Sequence, residues 1–437
     1  MSETVKVIGA GLAGCEAAWQ LAEKGIAVEL FEMKPGRMSP AHISKNYAEL
    51  VCSNSFRGDD LSNAVGLLKE EMRRLGSLII RAADETRVPA GGALAVDREH
   101  FAELITEKIQ KHPLIKIKEQ DVSDIPDGNV IIATGPLTSD LLAKRISTLI
   151  PGNEMLRFFD SAAPIVTYDS IDMSSAFFAS RYDKGDADYI NCPMDEKQYH
   201  TFYDALISAE KASVHGFEEH LVFEGCLPIE IMAKRGVDTI RYGPLKPVGL
   251  RDPRSDTEPY AVVQLRKDNA KGTLYNLVGF QTNLKFAEQK RVFGMIPALK
   301  NADIVRYGVM HRNTYLNSPN LLDRYYRFIK NPRIRFAGQI TGVEGYVESA
   351  ASGLLTGIET ARELLGSSPV DFPPESAIGA LAQYISKDSI YDFQPMNINY
   401  GIITPLDKRV KGKRNRNLAI SERSLKAIDS ILEGMSL

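Results

Sequence analysis

The sequence is poor in cysteine, with 4 in 437 residues: Cys15, Cys52, Cys192 and Cys226. That is too few for a disulfide framework, and no CxxC pair offers a zinc site. Each thiol is therefore read as free, either buried filler or chemistry, in a reducing compartment. No apolar run approaches the roughly 20 residues that cross a bilayer. Residues 1–9 enter a strand at once without a signal-peptide layout, so the expected location is cytoplasmic, with no membrane partner. No His, Asp and Glu cluster has metal-ligand spacing, so no metal is expected. A dominant charge sign is also missing. The net charge is -3, so a nucleic-acid partner needs a local basic patch. There is no internal repeat and no low-complexity tract. What remains is globular, 44% hydrophobic and 25% charged. A single core stops growing at about 250–300 residues, so the length implies two domains or a large insertion.

The N-terminus carries the strongest pattern. Val5, Val7 and Ile8 form a short apolar strand that runs into Gly9-Ala10-Gly11-Leu12-Ala13-Gly14. A helical pattern follows to Lys24, and Gly25 is placed to end it. A second strand, IAVELFE, ends at Glu32, 18 residues after Gly14. Strand, glycines, helix, strand and terminal acid together form the dinucleotide fingerprint. Gly9 permits the tight turn, Gly11 the approach of a pyrophosphate, and Gly14 close helix–strand packing. The helix N-terminus offers N–H groups to that pyrophosphate, and Glu32 can accept from ribose hydroxyls.

Two later segments favour FAD over a nicotinamide. Residues 129–136, NVIIATGP, form a buried strand ending near Thr134 and Gly135. It is similar to the strand that closes under the dinucleotide in flavoproteins with two dinucleotide-binding domains. Residues 334–339, IRFAGQ, form another strand leading to Gly338 and Gln339. The turn through Tyr346 and a small-residue helix, Val347 to Leu364, follow. In that flavoprotein class such a unit brings a helix N-terminus near the flavin ring. Tight packing on the sheet explains the small residues equally, and both can hold.

The fold class is therefore α/β: a Rossmann-like FAD-binding domain of the two-dinucleotide-binding-domain flavoprotein type, with an inserted α+β domain. The FAD-binding domain is assigned to residues 1–180 and 300–437. The insertion takes 181–299, a stretch rich in Tyr, short strands and Pro/Gly loops.

Six stretches are more specific: ELVCSNSF (49–56), YINCPM (189–194), FEGCLPIE (223–230), RYGPLKPVG (241–249), VMHRNTY (309–315) and MNINYG (396–401). On these the chain resembles the bacterial folate- and FAD-dependent tRNA uracil-5-methyltransferases, from residue 5 to about 415. The resemblance implies methylation of uracil C5, most simply in the T-loop of tRNA. Methylenetetrahydrofolate supplies the carbon, reduced FAD the electrons, and NADH or NADPH reduces the flavin. A close branch of the family acts on ribosomal RNA instead. No second GxGxxG is visible, so no dedicated nicotinamide domain is expected. A small-molecule flavin oxidoreductase is the rival reading from another class.

Uracil C5 is a poor nucleophile, and a thiolate adding at C6 would activate it. Cys226, in a turn-like setting, is the first candidate and Cys52 the second. Cys192, before a proline, reads more readily as packing, and Cys15 lies inside the first helix. The family motif points to His311 as a flat ring near the folate. Tyr346 is a candidate to stack on pterin or flavin. The densest basic run is Lys408, Arg409, Lys411, Lys413, Arg414 and Arg416, suited to RNA phosphates or to a solvated loop. Lys246, Arg251, Arg254, Arg266 and Lys267 are candidates to extend that surface.

Overall fold

Residues 5–8, 130–132 and 334–336, short segments buried on both faces, build one side of the first sheet, as parallel strands covered by helices require. The computed structural model describes residues 3–39, 41–150, 156–183, 186–212, 227–254, 258–387 and 393–435. Strand β1 (Val5–Ile8) leads to helix α1 (Leu12–Glu23) and β2 (Val28–Glu32). A small antiparallel sheet interleaves β3 (Ser55–Gly58), β4 (Arg87–Val88) and β5 (Ala93–Val96) with α2 (Ala64–Arg74) and α3 (Leu78–Glu85). Helix α4 (Arg98–Lys111), β6 (Ile115–Glu119), β7 (Val130–Ile132) and α5 (Asp140–Leu149) complete this half. Asp97 caps α4 by accepting from the His100 N–H, the ordinary role of Asp at that position.

The chain leaves through β8 (Leu156–Ser161) and enters a second sheet. That sheet contains β9 (Ile165–Thr167), β10 (Phe177–Ala179), β11 (Tyr189–Met194), β12 (Ala261–Lys267), β13 (Leu274–Leu277) and β14 (Ile304–Arg306). Helices α6 (Glu196–Ser208), α7 (Ile229–Lys234), α8 (Thr239–Tyr242) and α9 (Phe286–Phe293) belong to the same region. The chain returns through β15 (Met310–Tyr315), which pairs antiparallel with β8. It then adds β16 (Ile334–Phe336), α10 (Tyr346–Leu364), α11 (Ala377–Ser386) and α12 (Lys413–Met435).

The first sheet has the parallel order β16-β7-β1-β2-β6. The second is antiparallel, in the order β10-β11-β12-β13-β9-β14. Each has its own apolar core. One core unites residues 5–150 with 315–428, and the other gathers Ala163 to Leu299. Strands β9, β10 and β14 lie outside the 181–299 span and still belong to the second sheet. The pairings of β9 with β13 and of β14 with β9 are long-range, which composition along the chain does not record.

Helix α10 is fixed against α1 by absent side chains. A Cβ at Gly353 would stand 2.2 Å from the Ala13 carbonyl oxygen, and one at Gly357 2.8 Å from that of Ala17. The late helix can therefore approach the glycine turn that starts α1. No helix among the described residues is long and apolar enough to cross a membrane.

Candidate active site

The three glycines after β1 do three different jobs. Gly9 has φ +99°, and a Cβ there would meet the Ala133 carbonyl oxygen at 2.7 Å. A Cβ on Gly14 would stand 1.8 Å from the Gly9 carbonyl oxygen. At Gly11 a Cβ would meet nothing within 4 Å, and Gly11 lines an open cleft. Glycine at Gly9 and Gly14 is thus demanded by the protein itself, whereas at Gly11 it leaves room for something else. Gly11 is the N-cap of α1 and has no side chain to occupy the helix's first-turn N–H groups, which suits an anion.

The cleft lies at the carboxyl ends of β1, β2, β7 and β16, where open α/β sheets bind ligands. Counted out to its mouth it encloses about 1070 Å³. Ala10, Leu12, Ala13, Thr134, Gly135, Gly338 and Gln339 line it, with Glu32 on one wall and Tyr346 on another. Glu32 is 7% exposed. Its carboxylate accepts from the Ala10 N–H at 2.7 Å and the Lys34 N–H at 3.0 Å. It therefore holds the glycine turn as well as lining the cleft. The Thr134 and Thr138 hydroxyls are 2.6 Å apart. Gly338, at φ +85°, donates its N–H to the Ser352 hydroxyl at 2.6 Å. Gln339 donates to the buried Glu344 carboxylate at 2.5 Å. Open backbone at one end, a carboxylate beside it and a second helix start at the other fit an elongated dinucleotide such as FAD.

Tyr346 joins this cleft to the loop that carries Cys52. Its hydroxyl accepts from the Cys52 N–H at 2.7 Å and the Ser53 N–H at 3.2 Å, and burial pushes that hydroxyl's pKa up. Three guanidiniums hold the rest of the loop. Arg98 donates to the Leu50 carbonyl and pairs with Asp268 at 2.8 Å. Arg306 donates to the Val51 carbonyl at 2.7 Å. Arg266 donates to the Ser53 hydroxyl at 2.8 Å and the Asn54 side chain at 3.1 Å. Asn54 in turn donates to the Val96 and Lys267 carbonyls. The loop is thus gripped by α4 on one side and by β12 and β14 of the second sheet on the other. Burial opposes the charge on Arg266 and Arg306 and lowers both below the ordinary arginine value. Cys52 is half-buried, and its Sγ lies 3.5 Å from the Ser161 carbonyl oxygen. A partly exposed thiol in electropositive surroundings is the setting in which reactive cysteines occur.

The other thiols differ. Cys15 and Cys192 are 0% exposed, and burial pushes both well above the usual thiol range. Cys226 lies outside the described residues. His311 falls in β15, opposite Asp160, and its side chain is likewise outside them. Lys408, Arg409, Lys411, Lys413, Arg414 and Arg416 are all exposed. They lead into and begin α12, where Arg414 approaches Asp60 at 3.4 Å. Cations at a helix start oppose the dipole, so positive potential accumulates there. Arg266 does not extend this surface: it is 7% exposed and committed to the Cys52 loop. Among the described residues no group of three His, Cys, Asp or Glu side chains could hold a metal ion.

Nothing in the sequence singles out Arg306, because one arginine at the end of a short strand carries no local signal. The same holds for Lys34 and Glu49, which both line the cleft and stand 3.8 Å apart. Glu49 opens the ELVCSNSF stretch, and that is the only cue to it.

The chain is similar to known proteins over nearly its whole length. A family model described as Glucose inhibited division protein A matches residues 4–368. Methylenetetrahydrofolate--tRNA-(uracil-5-)-methyltransferase TrmFO of Listeria innocua serovar 6a is 57% identical over 433 residues, 99% of this chain and 100% of the relative. The chain belongs to the TrmFO family. The TrmFO of Heliobacterium modesticaldum is 59% identical over 430 residues, 98% of each chain. Among solved structures, Aquifex aeolicus GidA in its form II crystal superposes with a TM-score of 0.70 at 17% identity, covering 98% of this chain and 73% of that one. That likeness speaks for the fold, a two-sheet architecture that this TrmFO chain shares with GidA.

Proposed function

We propose that this chain methylates uracil C5 in tRNA, taking the carbon from methylenetetrahydrofolate, with FAD in the cleft and NADH or NADPH as reductant. The observation that carries the reading is 57–59% identity to proteins named for that reaction across almost the whole chain. The cleft beside Cys52 supports it. When bound, FAD supplies the electrons that reduce the transferred carbon to a methyl group.

The chain's own residues do the rest. The backbone at Gly11 and Leu12 receives the pyrophosphate, and Glu32 accepts from a ribose hydroxyl. Tyr346 lies against the ring end of the cleft and fixes the Cys52 backbone through its hydroxyl. A thiolate, of Cys52 or Cys226, adds to uracil C6 and breaks the C5–C6 π bond, whose electrons make C5 nucleophilic; once C5 has taken the carbon, loss of the C5 proton restores the double bond and expels the thiolate. His311 is the candidate folate contact that the family motif implies. The basic run from Lys408 to Arg416 binds RNA phosphates. The target base leaves its stack to reach the cleft.

The test is transfer of label from carbon-labelled methylenetetrahydrofolate to RNA, with FAD, NADH or NADPH, and no S-adenosylmethionine. Label in tRNA as 5-methyluridine is expected. Label only in ribosomal RNA keeps the chemistry and changes the substrate. Flavin turnover without label in either RNA would replace the reading with a small-molecule oxidoreductase. Cys226→Ala and Cys52→Ala, each assayed for trapped RNA adduct and for FAD content, assign the attacking thiol.

A further inference from the structure

The helices and turns beside the second sheet carry exposed aromatic and cationic residues that the flavin chemistry does not use. Tyr242 is 66% exposed and Tyr182 56% exposed. Arg241 bridges Tyr242 and Tyr260, its guanidinium carbon 5.3 Å and 4.0 Å from their ring centres. Lys246 and Lys234 are exposed close by in sequence. Two acids of this region are matched, Asp252 by Arg254 at 2.6 Å and Asp238 by Arg241 at 3.6 Å.

Tyr182 is held outward by its backbone. It sits at φ +60° and donates its N–H to the Gly249 carbonyl at 2.8 Å. Its ring lies on Gly249, where a Cβ would come within 2.7 Å of ring atoms. A non-glycine residue in the left-handed region with an exposed ring is the kind of outlier that marks a working surface.

The surface is linked to the Cys52 loop through β12. Arg181 donates to the Lys246 and Val248 carbonyls at 2.9 and 2.6 Å and to the Gln264 side chain at 3.0 Å. Gln264 and Arg266 are two residues apart on β12, so both side chains leave the same face, roughly 7 Å apart. Arg266 holds Ser53 and Asn54. One strand therefore ties the aromatic surface to the candidate nucleophile.

We infer that the Tyr182, Tyr242 and Lys246 surface is where single-stranded nucleotides of the substrate RNA stack on their way to the Cys52 loop. Base π-faces match exposed tyrosines, and phosphates match lysines on a chain whose overall charge would repel them. The inference rests on the RNA reading above. It adds a contact surface beside the second sheet, distinct from the basic run that begins α12.

The experiment is anisotropy titration of a labelled, unmodified tRNA transcript with the full chain loaded with FAD, at several KCl concentrations. Tyr242→Ala and Tyr182→Gly are each expected to weaken binding about tenfold, and Tyr242→Phe to restore it, since stacking needs only the ring. Glycine suits the backbone at position 182, so a loss there reports the ring and not the fold. Lys246→Glu is expected to flatten the salt slope by about one. A Tyr182→Gly/Tyr242→Ala double variant that binds like wild type, while wild type binds and methylates, would overturn the surface alone. A Tyr242→Phe variant as weak as Tyr242→Ala would overturn stacking as its role. If wild type neither binds nor methylates tRNA, the RNA reading falls and this surface with it.

Discussion

The two sheets serve the candidate site in opposite ways. In the parallel sheet, the fingerprint residues that line the cleft sit at or just after strand ends: Gly9 to Ala13 after β1, Glu32 at the end of β2, Thr134 after β7, Gly338 after β16. In the antiparallel sheet, single side chains reach out from strands, Gln264 and Arg266 from β12 and Arg306 from β14. The first arrangement is local and steric, and the second is long-range and electrostatic. A steric demand writes glycine at a fixed spacing. A long reach leaves one arginine in an unremarkable strand.

Breaking the local side should have the largest effect. Gly14→Val puts carbon against the Gly9 carbonyl, with no flexible neighbour to yield. This variant should fail to fold or be purified without flavin. Gly11→Val points into the cleft instead. It should keep the melting temperature of the FAD-free protein and lose at least about 100-fold in FAD affinity, which is about 2.7 kcal/mol. Flavin absorbance and thermal melting of both variants check the contrast. Normal FAD content in either variant would break it.

This contrast also explains what the sequence disclosed. The fold class and the glycine turn that lines the cleft were readable because the turn, helix start and strand-end acid lie within residues 5–32, where sterics dictate residue type. The helix from Tyr346 was readable because its packing on Ala13 and Ala17 requires glycine at 353 and 357. Tyr346 itself was expected only to stack; that its hydroxyl holds the Cys52 backbone depends on the fold bringing together positions nearly 300 residues apart. Arg266 was taken for a surface cation because strand β12 alone does not reveal which loop it faces. The roles of β9 and β14 were hidden for the same reason, since pairing partners distant in sequence decide them.

The long-range side can be broken at Arg306. Arg306→Gln removes a charge-assisted donor from the half-buried Val51 carbonyl, an interaction worth about 1.5–3 kcal/mol. Methyl transfer should fall roughly 10- to 100-fold in kcat with FAD content retained, and Arg306→Lys should recover part of it. Loss of FAD together with activity would mean that the arginine supports the cleft and not the Cys52 loop.

A stability experiment sharpens the same comparison away from the site. Glu71, in α2, is buried and accepts from the Ala377 and Ile378 N–H groups at the start of α11 and from the Ser424 hydroxyl. Burial raises its carboxyl to about 7. Between pH 4.5 and 7 the folded protein keeps a proton that the unfolded chain has released, so this group's contribution to stability falls as pH rises through that window and then levels. Glu71→Gln should remove that part of the slope. It should also cost about 1–3 kcal/mol, because an amide N–H2 faces backbone donors. Denaturant melts of both proteins from pH 4.5 to 8 measure the difference.

The smallest effect is expected in the basic run. Replacing Lys411, Lys413 and Arg414 by Ser should leave folding unchanged, weaken tRNA binding and reduce the salt slope by about one for each phosphate no longer neutralised. An unchanged slope would make this run a solvated loop.

The central claim is that the cleft holds FAD with its ring end against the Tyr346–Cys52 contact. The most direct measurement is a crystal structure of the chain with FAD bound. The account predicts the pyrophosphate at the Gly11–Leu12 backbone, a ribose hydroxyl on Glu32, and the flavin ring beside Tyr346, within reach of the Cys52 loop. A flavin lying elsewhere, or bound with its ring directed away from that loop, would contradict it.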